Sequence, residues 1–190
     1  MAAGRLSKEP FNLIVAGVGG QGNVLLSAFI GLALVREGFV AGVADTFGVS
    51  QRGGSVTSHI KISKESSYSS VTLPGGADVI LGMEPVETLR ALGEFGNPHI
   101  VAIVNPRPVH PSGGGTYPAL DEVKRAIIKL SAKATFVNAT EEALKMGDSI
   151  YTNIILLGAE VLPIGREAML ARFAGAFYRE DLRGEYQGIR

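Results

Sequence analysis

The chain has 190 residues, 46% of them hydrophobic, which is enough to bury one substantial core and favours a single domain. Eighteen basic residues balance eighteen acidic ones, so no overall field draws the chain to a nucleic-acid backbone or an anionic membrane surface. There is no cysteine, which excludes disulfides, thiolate zinc sites, cysteine nucleophiles and cysteine-ligated iron–sulfur clusters; if electrons move, another chain carries them.

Residues 1–10 are small and polar and read as a loose leader. Residues 12–16 form a short apolar, partly β-branched run that stops at glycines, as expected of a central strand buried on both faces of a parallel sheet. A glycine-rich turn follows, and then a helix over 23–37 with Gly38 as its stop. That helix is apolar nearly all round, so sheet packing cannot use its whole surface and a partner chain is a natural second cover. Its apolar run, 24–35, falls short of the roughly 20 residues of a membrane span, and nothing near the N-terminus resembles a secretory cleavage site. A cytoplasmic protein is expected, in which the sequon at Asn138 has no compartment to act in.

Residues 39–44 give a second strand ending at Asp45, and 56–62 a third, in which Val56, Ser58, Ile60 and Ile62 share one face while Thr57, His59 and Lys61 share a wetter one. Two more buried strands are expected at 77–82 and 99–105, with a helix around 86–92 between them. After a proline- and glycine-rich loop at 106–118, Leu120, Val123, Ile127 and Leu130 mark an amphipathic helix. A last strand at 135–138 precedes a helix capped by Thr140, with Glu141 and Glu142 on the positive end of its dipole. Gly147 stops that helix and Asp148 begins another, running to residue 162. The expected fold is α/β, Rossmann-like: an open, mostly parallel sheet with helices on both faces, one domain over 11–178, and a charged tail or docking arm over 179–190.

Gly17, Gly19 and Gly22 satisfy G-x-G-x-x-G in the context that gives it meaning, after a strand and before a helix; Gly20 and Gln21 complete the turn. Such a turn lets a phosphate approach free N–H groups, and Asp45 stands where a dinucleotide fold puts its ribose-binding acid. The same glycines also suit plain strand–helix packing, contact with a partner subunit, or the pyrophosphate of coenzyme A. A second loop holds Ser50, Gln51, Arg52, Gly53, Gly54 and Ser55, where an arginine among glycines and hydroxyls can fork onto a carboxylate or phosphate. Glu84 is expected on the same edge, either as a ligand acceptor or favouring the next helix's N-terminus, and Asn105 with Arg107 forms a third polar cluster there. His59, His99 and His110 lie far apart without metal-site spacing, and no nucleophile or Ser/His/Asp grouping stands out.

Residues 15–22 (VAGVGGQG), 47–56 (FGVSQRGGSV) with Ser58 and His59, and 81–87 (LGMEPVE) together resemble the gamma subunit or domain of 2-oxoacid:ferredoxin oxidoreductases. The likeness is to the beta subunit of the indolepyruvate enzymes in particular, with the small subunit of phenylglyoxylate-type enzymes much alike, and it runs over about residues 11–162. It implies an enzyme that decarboxylates a 2-oxoacid on thiamine diphosphate, passes electrons through iron–sulfur clusters to ferredoxin or NAD, and forms an acyl-CoA. This chain has neither cluster cysteines nor the Gly-Asp-Gly and paired-Asn signature of a thiamine site, so thiamine diphosphate, Mg and the clusters are expected in a larger partner subunit. The resemblance further implies that this subunit lies against the catalytic one, helps shape its CoA and substrate side, binds no cofactor alone and is inactive alone. It carries the functional rim onto Gly17–Gly22 and Ser50–Ser55, with Arg52 as an anion contact. An independent NAD- or flavin-binding oxidoreductase and a purely structural capping subunit are the competing expectations.

Overall fold

A computed structural model of the chain describes residue 6 and residues 8–48, 53–66, 68–110 and 116–158. The expected tail at 179–190 and the end of the expected last helix lie outside the described residues. Strand β1 (Phe11–Val18) is buried along its whole length, and helix α1 (Asn23–Arg36) returns the chain to strand β2 (Val40–Phe47). Strand β3 (Ser55–Ser63) runs back, followed by β4 (Val79–Gly82), α2 (Pro85–Phe95), β5 (Val101–Val104), α3 (Leu120–Leu130) and β6 (Lys133–Phe136). Helix α4 (Ala139–Lys145), a 3-10 turn (Ser149–Tyr151) and α5 (Thr152–Gly158) complete the described chain.

The strands form one six-stranded sheet in the order β2-β3-β1-β4-β5-β6. β1, β4, β5 and β6 pair in parallel, and β3 pairs antiparallel with β1 and with β2. The sheet is therefore mostly parallel, with β3 inserted beside the central strand. Side chains alternate across it, as the two-residue period of a strand requires. Leu13 and Val15 pack with Leu26, Ile30, Leu34, Ile60 and Leu156, which places α1, α4 and α5 on one face. Ile14 and Ala16 pack with Leu92, Phe95, Val123 and Ile127, which places α2 and α3 on the other. The expected architecture of helices on both faces is what the chain adopts, and none of the described helices is long and apolar enough to cross a membrane.

Three local expectations are corrected. β6 begins at Lys133, earlier than the expected 135, because an edge strand tolerates a solvent-facing lysine that hides its start. Thr140 lies inside α4 and does not cap it; the cap position is Asn138, and the Thr140 hydroxyl accepts from Asn105 Nδ2 at 2.8 Å. The expected helix from Asp148 opens as the 3-10 turn, in which the Asp148 carboxylate accepts the Ile150 N–H at 2.9 Å, before α5 starts at Thr152.

His59, expected on a wetter face, is instead 2% exposed, with its ring edge-on to Phe95 at 5.2 Å between centroids and its Nδ1 accepting the Thr72 N–H at 3.3 Å. Segment 68–72 covers this side of the hairpin: Lys61 Nζ donates to the Val71 carbonyl at 3.1 Å. Burial holds the His59 pKa below its ordinary 6.5, against the opposing pull of Glu94 and Asp45 and with a small assist from Lys61. The folded state thus keeps a neutral imidazole where the unfolded chain takes up a proton. His59 contributes its full stability above about pH 6.5 and loses it as pH falls below that toward the lowered folded value. Denaturation midpoints measured between pH 8 and pH 5 should fall in the acid arm, and His59→Asn, which keeps an acceptor for Thr72, should flatten that arm. An unchanged slope in the variant would remove His59 as the source.

Helix α1 confirms the excess of apolar surface foreseen for it. Its inward side is buried through Leu26, Ile30, Gly31 and Leu34, while Val24, Leu25, Leu32 and Val35 are 40–55% exposed. Edge strand β2 extends this patch, with Val40, Val43 and Phe47 also exposed.

Candidate functional site

The C-terminal ends of β1, β4 and β5 meet at one sheet edge, where open α/β folds bind ligands. At the end of β1 the chain must turn sharply into α1, and Gly20 (φ 100°) and Gly22 (φ 79°) adopt left-handed conformations to do so. A side chain on Gly22 would also run into Asn153, since a Cβ there would stand 2.7 Å from its Nδ2. Gly17 serves a different purpose. A Cβ on it would lie within 2.8 Å of both Asn23 and Gln21, so its bareness lets those side chains fold over the strand end. Gln21 then ties the turn together: its Oε1 accepts the Val18 N–H at 2.8 Å and its Nε2 donates to the Met83 carbonyl at 3.3 Å, linking the ends of β1 and β4. Gly22 caps α1 with no side-chain hydrogen bond, which leaves first-turn N–H groups of a 14-residue helix directed at the rim.

The second motif lies beside the first. Val18 pairs with Ser55, and Gly19 N–H donates to the Gly54 carbonyl at 2.8 Å, so the β2–β3 hairpin loop and the glycine turn share one edge. Gly53 is left-handed (φ 76°), and Gly48 N–H closes the hairpin on the Ser55 carbonyl at 2.7 Å. Ser50, Gln51 and Arg52 lie outside the described residues.

Asp45 does not join this rim. It sits inside β2, opposite Ser58, which in turn pairs with Val15, so β3 separates it from β1 and it lies level with Val15 below the end of that strand. Its carboxylate accepts from Ser58 Oγ and, at 3.4 Å, from Ser27 Oγ beneath α1. A dinucleotide fold needs its ribose acid on the strand next to β1, and the inserted β3 prevents that here.

Glu84 and Asn105 reach the rim as buried ties. Glu84, 1% exposed, caps α2 through Oε2, which accepts the Glu87 N–H at 2.9 Å ahead of Pro85. Its Oε1 accepts from the Tyr117 hydroxyl and from the Val109 N–H at 3.3 Å, pinning both ends of the loop after β5. Burial and then the Glu84 carboxylate push the Tyr117 phenol far above its ordinary range, so it stays protonated as the donor. Asn105 Nδ2 donates to the Met83 carbonyl at 3.2 Å and to Thr140, joining the ends of β4 and β5 to α4. Replacing Asn105 with alanine strands buried partners at Met83 and Thr140 and should cost about 1–3 kcal/mol. A urea midpoint equal to the native one would show that the tie is dispensable.

Beneath the glycine turn is a cavity of about 520 Å³, bounded by Gly20–Gly22 and Leu25 on one side, Met83, Arg107 and Val109 on another, and Thr140, Ser149, Thr152 and Asn153 on a third. Sequence reasoning placed Arg107 on the rim but missed the wall after α4. Nothing in those residues marks a site; Asn153 enters only because its Nδ2 donates to the Gly22 carbonyl at 3.4 Å, 131 residues away along the chain.

Known proteins share both the sequence and the fold. The sequence profile of the pyruvate ferredoxin/flavodoxin oxidoreductase family matches residues 12–181. Indolepyruvate oxidoreductase subunit IorB of Archaeoglobus fulgidus is 38% identical over 152 residues, covering 77% of this chain and 74% of that protein. The subunit of the same name from Thermococcus kodakarensis is 36% identical, with 80% of this chain and 76% of its own length covered. Among solved structures, pyruvate oxidoreductase subunit PORC of Thermotoga maritima superposes with a TM-score of 0.65 at 21% identity, covering 92% of this chain and 89% of that one. The 2-oxoglutarate:ferredoxin oxidoreductase of Magnetococcus marinus, solved with 2-oxoglutarate, coenzyme A and succinyl-CoA, superposes with a TM-score of 0.66 at 20% identity over 94% of this chain but only 28% of its own. The motifs at both loops, the mixed sheet that joins them and a match over most of the chain agree, and the chain belongs to the pyruvate ferredoxin/flavodoxin oxidoreductase family as a small subunit of the 2-oxoacid:ferredoxin oxidoreductase kind.

Proposed function

We propose that this chain helps complete the active site of a larger catalytic subunit that oxidatively decarboxylates an aromatic 2-oxoacid to its acyl-CoA. Thiamine diphosphate, Mg and the iron–sulfur clusters reside in that partner, and the electrons leave to ferredoxin or to an NAD-reducing subunit. The absence of any cysteine supports this division of labour, because a cluster needs thiolate ligands this chain cannot supply. The aromatic substrate is drawn from the indolepyruvate in the names of its relatives. When bound to the partner, thiamine diphosphate supplies the carbanion chemistry of decarboxylation. This chain's part is to present the joined glycine and hairpin loops.

One observation carries the reading: the two motif loops are hydrogen-bonded into a single rim, Gly19 to Gly54, directly beside the exposed apolar face of α1. Large exposed apolar patches rimmed by polar groups mark interaction surfaces. A docked partner would cover α1 and bring its own reacting centre against the rim. An independent NAD enzyme is disfavoured by the position of Asp45.

The test is anaerobic purification of the chain from its native cell, with identification of co-purifying chains and a visible spectrum. A brown complex with 2-oxoacid- and CoA-dependent reduction of an acceptor is expected. A lone chain holding tightly bound NAD or flavin would overturn the proposal.

A further inference from the structure

We propose that the free edge of β2 and the flank of α1 above it form a two-fold interface with a second copy of this chain, joining two six-stranded sheets into one. The inference goes beyond the proposed function and does not rest on it, since it concerns how many copies of this chain stand together.

β2 is the outermost strand and hydrogen-bonds only to β3 among the described residues. The Gly48 N–H donates to the Ser55 carbonyl, so Gly48 faces β3, and the unbroken register carries that parity back along the strand. Thr46, Ala44, Gly42 and Val40 therefore face β3, while Phe47, Asp45, Val43 and Ala41 turn their N–H and C=O groups outward. Edge strands are ordinarily blunted by a lysine, a proline or a bulge. β2 has none of these along its 8 residues, and its one charge, Asp45, is engaged by Ser58 and Ser27. Val40, Val43 and Phe47 are exposed along it.

This edge fits its own copy. An antiparallel pairing centred on Ala44 sets Ala41 against Phe47 and Val43 against Asp45 of the second copy, so every outward residue finds a partner and no two aspartates stand opposite. A two-fold axis at that point keeps both α1 helices on the same side of the joined sheet. α1 is seated over β2, since Ser27 donates to Asp45 and a Cβ on Gly31 would stand 2.9 Å from Val43 Cγ2. The flank on that side carries Val24, Ala28, Gly31 and Val35, spaced by four, three and four residues. That is the spacing by which two helices mesh, and the small central pair permits close approach. No residue of α1 before Arg36 is charged, so the contact buries no unpaired ion. The strip runs about 27 Å along β2 and roughly 20 Å through the sheet and one helix. It offers on the order of 600 Å² per chain, the low end of what a stable interface buries on each side. Leu25 and Leu32 lie further round the helix and stay available to the large subunit.

The chain has no cysteine, so one introduced thiol reports one position. In this pairing Ala44 meets its own copy in a non-hydrogen-bonded pair, with Cα atoms about 4.5 Å apart, a span a disulfide can bridge. Full-length Ala44→Cys, oxidised in dilute solution, should run at twice the chain mass on a non-reducing gel. Thr46→Cys, at a more exposed position but about 14 Å from its counterpart, should crosslink at least about tenfold more slowly. Val35→Lys should raise the dimer Kd at least about tenfold in sedimentation equilibrium while leaving the circular dichroism unchanged. Sedimentation of the native chain as a monomer would overturn the proposal, whatever the variants do. Equal crosslinking of the two cysteines would overturn it too, as would an Ala44→Cys thiol that bonds only to the large subunit in the assembled complex, since the edge would then belong to that subunit. A Val35→Lys dimer as tight as the native one would remove α1 from the interface.

Discussion

Replacing Gly82 with alanine should destabilise the chain by about 3 kcal/mol or more, a large share of a net stability of about 5–15 kcal/mol. Gly82 ends β4, buried between β1 and β5, and a Cβ there would stand 1.8 Å from Thr88 Oγ1 and within 3.0 Å of its Cβ and Cγ2. Thr88 has little freedom to yield. It is completely buried, its β-branched side chain is stiff in a helix, and its hydroxyl donates to the Glu84 carbonyl at 2.7 Å. The alanine would have to push α2 off the sheet, and with it the Glu84 cap and the loop it holds. Gly93 provides the internal control on the same helix. An added Cβ there meets nothing within 4 Å, so Gly93→Ala should stabilise by roughly 0.5–1 kcal/mol through helix propensity. Urea midpoints of the two variants should therefore move in opposite directions. A Gly82→Ala midpoint within about 0.5 kcal/mol of the native one would mean that α2 and β4 are less closely packed than described.

The second large effect concerns assembly. Leu32 is 50% exposed near the middle of the exposed apolar face of α1, so Leu32→Glu should change the stability of the chain itself by no more than about 0.5 kcal/mol. If a partner covers that face, the same change buries an unpaired carboxylate against an apolar surface and costs about 2–4 kcal/mol, weakening association roughly 30- to 900-fold. The variant chain should stay folded by circular dichroism, aggregate less on its own because its apolar patch is broken, and fail to pull down the large subunit. Undiminished co-purification would place the partner elsewhere on the chain.

Much of this architecture could be read in order from the residues, because buried strands and amphipathic helices advertise themselves through period and composition. The strand at 12–16, the helix after the glycine turn, and the amphipathic helix through Val123 and Ile127 all stand where their patterns place them. The uncovered face of α1 was equally legible, since fourteen residues without an acidic group cannot all face one sheet. The two loops were legible as motifs, although their union through Gly19 and Gly54 was not. Capping at the helix ends was read less well: Thr140 carries a good capping side chain, yet Asn105 claims its hydroxyl for a tertiary bond. The site wall at 148–153 left no local trace, because its residues matter only through what lies across the cavity.

Local composition by itself determined the class of this protein: a single α/β layer, no thiolate chemistry of its own, and two glycine-punctuated loops at strand ends. Those are properties of short windows, decided by side-chain size, backbone freedom and the presence or absence of a ligand atom. Strand order is not such a property. Only the tertiary structure inserted β3 between β2 and β1, which drew Asp45 into a bond with Ser58 and away from the rim. Only packing turned Glu84 and Asn105 from candidate ligand contacts into ties, because a buried carboxylate or amide must find partners wherever the fold brings donors and acceptors within reach. The cavity and the Arg107 in its wall arise in the same way, from segments far apart in the chain that meet only when the sheet has closed its neighbours around them.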